Sequence, residues 1–182
     1  MLGAGLALLG AVWGLSQNNP KPETYGATAM GEGPASGRRF NVTITIQKYS
    51  TPEDQRALID AVLLSGQKGL VDALSKMKSK GRVAITGTLG YDIAYVRKFP
   101  TKDGRKIRLI TNRPIRFREA WDNGRSMHYN LSALELNLSD SKSGSTGTLM
   151  VAAKFAVGKD KQPVLESYSV GPWRLVNIIG WK

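Results

Sequence analysis

The sequence contains no cysteine and a single histidine, His128. Without a thiol there is no disulfide framework, thiolate nucleophile, zinc ribbon or iron–sulfur cluster, and no lipid anchor carried on cysteine. One imidazole excludes any site built from two, the HExxH metalloprotease helix included. Acids are scarce beside bases: 14 Asp+Glu against 26 Lys+Arg, a formal net charge of +12 over 182 residues. There is no GK[ST] phosphate loop, no G-x-S-x-G nucleophile elbow and no internal repeat. What is present, 41% hydrophobic and 22% charged residues, is the composition of an ordinary globular domain, long enough to bury its own core. No residue pattern calls for a metal or an organic cofactor.

Charge is also absent from residues 1–15, an apolar and glycine-containing run. It falls short of the roughly 20 residues a spanning helix needs, and Gly3, Gly5 and Gly10 weaken it as a buried helix. Gly14 and Ser16 put small residues at positions −3 and −1 of a cut before Gln17, as a signal peptidase requires, although no Lys or Arg precedes Lys21. Residues 1–16 are therefore expected to be a signal peptide, and the product to be exported, periplasmic or secreted, with all its charge retained. Residues 17–39 hold three Pro, four Gly and almost no large aliphatic side chains, which predicts a flexible leader. Residues 40–182 are then expected to form a single domain.

That domain opens with an alternating run: Val42, Ile44 and Ile46 on one face, Thr43, Thr45 and Gln47 on the other, the pattern of a half-buried strand. Thr51, Pro52, Glu53 and Asp54 form a helix start. Leu58, Ile59, Val62 and Leu63 supply an apolar stripe, and Gly66 predicts a stop. A second helix with Leu70, Ala73, Leu74 and Met77 inward would end at Gly81, making a helical hairpin after the first strand. From Arg82 onward only strands are read, at 82–87, 91–99, 105–112, 115–120, 129–139, 147–157, 163–169 and 173–181, separated by turn signals such as Lys102-Asp103-Gly104 and Asp122-Asn123-Gly124. The fold class is α+β, mainly antiparallel β with eight or nine strands closing into a barrel or sandwich. Ala152, Ala153 and Ala156 leave room for another element, and Trp121, Trp173 and Trp181 are read as core plugs or as the rim of a ligand cavity.

The segments TITIQKYSTPEDQRAL, KGRVAITGTLG, RLITNRPIRFREAW and GPWRLVNI, spread over residues 43–178, give the chain its family likeness. It resembles uncharacterised exported bacterial β-rich proteins. The resemblance implies an exported β-rich fold and no particular activity.

The densest anomaly is the basic stretch 97–118, in which Asp103 is the only acid among Arg97, Lys98, Lys102, Arg105, Lys106, Arg108, Arg113, Arg116 and Arg118. On a strand, Lys106, Arg108 and Ile110 share one face while Arg105, Ile107, Leu109 and Thr111 share the other. Lys106, Arg108, Arg113, Arg116 and Arg118 are the expected anion-binding residues, a guanidinium row suited to phosphate, sulfate or carboxylate. The competing reading is a solvated outer face that deters edge pairing. With no recognition helix or RNA-binding motif, nucleic acid is not the expected partner. An anionic lipid, a glycan or a small ligand is, with peripheral contact at a membrane surface. Two alternatives stand beside this non-catalytic binding module. One is a hydrolase using Glu119 and Asp122 as a carboxylate pair with His128, although turn chemistry accounts for Asp122 equally well. The other is a structural or assembly protein of the envelope that docks through its helices.

Overall fold

The computed structural model describes residues 21–115, 130–141, 144–157, 163–167 and 172–181, and alternation of apolar and polar residues turns more than half of these into strands. In chain order they are β1 (Glu23–Met30), β2 (Arg39–Ile46), α1 (Pro52–Lys76), β3 (Gly81–Ile85), β4 (Tyr91–Thr101), β5 (Gly104–Thr111), β6 (Leu131–Ser139), β7 (Thr146–Val157), β8 (Pro163–Ser167) and β9 (Trp173–Trp181). All pairings are antiparallel, in the order β6-β5-β4-β3-β2-β1-β9-β7, and β6 pairs with β7 to close an eight-stranded barrel. Closure settles the choice between barrel and sandwich, because it leaves no open edge in the ring. β8 lies outside the ring, along the part of β7 that β9 does not reach.

Every second side chain points inward. Ile44 and Ile46 of β2, Ile107 and Leu109 of β5, Leu134 and Leu136 of β6, Leu149 of β7 and Leu175 of β9 fill the barrel together. Trp173 plugs it near the end where β2 begins, its ring 4.7 Å from that of Phe40. Trp181, by contrast, is 52% exposed. It lies across Gly26, where any Cβ would collide with its ring. Two polar residues also sit fully inside. Ser132 donates from Oγ to the Val151 carbonyl at 2.7 Å and from its amide to Thr111 Oγ1 at 3.2 Å, and its hydroxyl accepts from the Ile115 amide at 2.6 Å. These bonds satisfy both buried hydroxyls and tie the chain after β5 to the barrel.

The predicted leader needs correction. Residues 23–30 are a full barrel strand, bonded to β2 on one side and β9 on the other. Tyr25, Ala27 and Ala29 alternate inward, but two of the three are alanines and the intervening residues are Thr and Gly, so the period-2 signal is faint. The ring cannot close without this strand. The N-terminal run 1–16 lies outside the described residues.

The helical hairpin is also corrected. Among the described residues there is one α-helical element, it follows the second strand, and it contains no connecting loop. Only Gly66 departs from helical geometry, at φ 58° and ψ −146°, so the helix kinks there and resumes at once. Such a conformation is nearly restricted to glycine. Thr51 and Asp54 cap the start reciprocally, and the Asp54 carboxylate meets Lys80 Nζ at 2.8 Å. Leu58, Leu70 and Leu74 pack on Ala94, Tyr95, Ile110 and Leu131, the outward residues of β4, β5 and β6. Leu63, placed on the buried stripe by spacing, is 69% exposed. A bulge in the β6–β7 ladder turns Ala153 outward against Ala133 and Met150, and the helix approaches β7 there. No helix among the described residues is long and apolar enough to cross a membrane.

Candidate functional site

The β4–β5 hairpin carries the basic stretch, and its alternation sorts the charges as the sequence implied. Arg97, Phe99, Lys106 and Arg108 face outward, while Arg105 shares the inward face with Ile107 and Leu109. Arg97 and Arg108 are direct cross-strand partners, which places two like charges opposite each other at a cost to the sheet. Phe99 eases their proximity, with its ring centroid 5.1 Å from the Arg97 guanidinium and 5.7 Å from that of Arg108. Glu135, opposite Arg108 on β6, accepts from Arg108 Nε at 2.7 Å and Nη2 at 2.6 Å. Lys106 reaches the same carboxylate only at 3.9 Å. Among the described residues, Glu135 is thus the carboxylate met by this outward face, and it is committed chiefly to Arg108.

Arg97 has no such partner. Among the described residues its side chain makes neither a hydrogen bond nor an ion pair, and its Nη1 is buried without an acceptor. It lines a cleft of about 400 Å³ with Tyr49, Ser50, Thr51, Pro52, Gln55, Tyr95 and Lys98. The cleft exists because residues after β2 continue beside β4 before turning into the helix. The Ser50 amide donates to the Val96 carbonyl at 2.9 Å, and the Val96 amide returns a bond to Ser50 Oγ at 3.0 Å. Lys98 extends over the Tyr49 ring, 5.1 Å from its centroid. Among the described residues no carboxylate lines the cleft.

A second polar cluster occupies the barrel end where β1 starts. Tyr25 Oη and Tyr49 Oη both donate to Glu23, the latter at 2.8 Å. Arg105 Nη2 reaches Glu23 Oε2 at 3.1 Å and Tyr25 Oη at 2.8 Å. Burial pushes the Glu23 carboxyl upward, but the two tyrosine hydroxyls and then the Arg105 and Lys98 charges outweigh it, leaving the group below its ordinary value. Tyr25 and Tyr49 are both raised, by burial first and then by their bonds to Glu23. Arg105 is raised, chiefly through its bond with Tyr25. Three side chains from β1, β5 and the segment after β2 thereby lock onto one carboxylate. The cluster escaped sequence reasoning because Glu23 and Tyr25 lay in the supposed leader. The available signal was Arg105 on an apolar face, since a half-buried guanidinium requires an acceptor.

Of the five expected anion-binding residues, Lys106 and Arg108 lie on the outward face just described. Arg113 is separate from them. It sits past the far end of β5, 5.3 Å from the centroid of the Tyr91 ring, beside a cleft of about 420 Å³ formed with Thr88, Leu89, Gly90 and Pro114. Arg116 and Arg118 fall outside the described residues, and so do Glu119, Asp122 and His128 of the hydrolase reading. The structure therefore adds Arg97 to the outward basic face, while Lys98, paired with inward Ile107, lies over Tyr49 and meets Arg97 only at the cleft. Among the described residues no group of three His, Asp or Glu side chains is placed to hold a metal ion. Comparison with protein-family models, with curated proteins and with solved structures finds no match to this chain.

Proposed function

We propose that the chain is an exported, non-catalytic binding module that recognises an anionic envelope component, a lipid headgroup or glycan, or a small anionic ligand, through the outward basic face of β4 and β5. The observation that carries this reading is the Arg97–Arg108 pair, two guanidinium groups held opposite each other with a carboxylate for only one of them. Folding alone gains nothing from that arrangement, whereas an approaching anion is attracted by both charges. The hairpin from residue 91 to residue 111 concentrates six cations against two acids, so the field extends beyond the pair. Each Lys or Arg near an anionic membrane surface contributes on the order of 1 kcal/mol to attachment. The test is cosedimentation with anionic and zwitterionic vesicles and with an anionic wall polymer, across a salt series. Binding to the anionic partners that weakens steadily as salt shortens the Debye length is the expected result. Absence of binding, or binding indifferent to ionic strength, overturns the proposal.

A further inference from the structure

We infer that the cleft between the start of α1 and β4 is a discrete site for one small organic oxyanion, a phosphate monoester or a carboxylate of roughly monosaccharide size, with Arg97 as its principal donor. The inference rests on the binding reading above and narrows it from a charged face to a defined site.

Three observations converge on the cleft. Its Arg97 guanidinium has a buried nitrogen that nothing among the described residues satisfies. Buried polar groups in folded proteins are nearly always paired, so an orphaned cationic donor beside an opening points to an acceptor that arrives from solution. Two described acids of the neighbouring elements are engaged elsewhere: Glu135 holds Arg108, and Asp54 holds Lys80 and the Thr51 amide. Phe99 offers only its ring, 5.1 Å from the guanidinium, and supplies no hydrogen-bond acceptor.

The second observation is charge. Lys98 lines the same cleft, and among the described lining residues there is no carboxylate, so an entering oxyanion meets two cations there. The third is shape. The walls combine Tyr49, Tyr95 and Pro52 with the amide of Gln55, and the volume, about 400 Å³, lies within the range of small-molecule sites. A bare inorganic anion would leave these aromatic walls unused. An oxyanion carrying a sugar or glycerol body would place its charge against Arg97 and Lys98 and its carbon skeleton against the tyrosines.

The test titrates sn-glycerol 3-phosphate, inorganic phosphate and uncharged glycerol into the purified chain, with amide NMR shifts and calorimetry as readouts. Vesicles containing phosphatidylglycerol are run in parallel. Glycerol 3-phosphate is expected to saturate a single site, more tightly than inorganic phosphate, with shifts at residues 49–55 and 95–98. Arg97→Met is expected to weaken that binding about tenfold, the usual effect of losing a charged hydrogen bond. Lys102→Met removes the same charge outside the cleft and should change it less than about twofold. Thermal unfolding keeps the comparison fair: without ligand, Arg97→Met should unfold no lower than the parent chain, because it relieves both the orphan donor and the repulsion with Arg108. Ligand should raise the unfolding temperature of the parent chain and not of Arg97→Met. If vesicles bind with salt dependence but glycerol 3-phosphate does not saturate, or if Arg97→Met and Lys102→Met weaken it equally, the discrete site is wrong and the charged face stands. If neither probe binds, both readings fall.

Discussion

Replacing Glu23 by Gln tests how the barrel end is held together. In the native chain one carboxylate accepts from Tyr25 Oη, Tyr49 Oη and Arg105 Nη2. The Gln side chain keeps the size, removes the charge and turns one acceptor into a donor. Hydrogen bonds to a charged group are worth roughly 1.5–3 kcal/mol and neutral ones roughly 0.5–1.5 kcal/mol, so each of three bonds loses about 1 kcal/mol of charge assistance. The side chains of Arg105 and Glu23 are 42% and 30% exposed, so solvent screening reduces the total. A loss of about 2 kcal/mol remains, or about 4–8 °C in unfolding temperature for a domain of this size. The pH dependence adds a sharper check. The Glu23 carboxyl is held below its ordinary 4.5 in the folded state, so its contribution is fully present above that value and is lost as pH falls through the lower folded value. Thermal unfolding of Glu23→Gln and the parent chain, followed by circular dichroism from pH 7 to pH 3, should show a gap that closes on the acid side. A gap under about 0.5 kcal/mol at pH 7, or one that stays constant across the range, would refute the account of the cluster. On the alkaline side Tyr25 and Tyr49 are raised above 10.0, so their contribution is present below pH 10 and declines as the pH climbs beyond it.

Three further outcomes follow from the same geometry. Leu109→Ala empties a fully buried position among the barrel-filling side chains and should cost about 2–5 kcal/mol in denaturant unfolding. Gly66→Ala places a Cβ where nothing obstructs it but at a φ of 58° that L residues rarely adopt, so the cost, about 1–3 kcal/mol, comes from the backbone alone; an unchanged midpoint would mean the kink relaxes. Glu135→Gln should lower stability by about 1–3 kcal/mol, because it removes the charge held at 2.6 Å from Arg108. It should also tighten binding to anionic vesicles at low salt, and a weaker attachment would contradict the electrostatic role of that face.

Much of the barrel is legible in the residues because its strands are half-buried, and half-burial writes a period of two. The read strands at 91–99, 105–112, 147–157 and 173–181 end within two residues of β4, β5, β7 and β9, since Lys102-Asp103-Gly104 and its counterparts mark the turns. β1 is the counter-example. Its inward alanines give too little contrast against Thr and Gly, and it is a strand because β2 and β9 offer it two complete ladders. The kinked helix shows the same division. Gly66 was visible as a break, but whether the chain then turns back or carries on depends on the outward residues of β4 to β6 that receive Leu70 and Leu74.

By itself the sequence determined the described strands after Arg82, the excess of basic charge and the outward placement of Lys106 and Arg108, because each depends on neighbours close in the chain. The tertiary structure decided which charges find partners. Arg108 and Arg105 are matched by carboxylates 27 and 82 positions away, while Arg97 is left beside a cleft whose other wall comes from the segment between β2 and α1. Side-chain pairing across a closed barrel is a property of register and closure, and no local pattern encodes either.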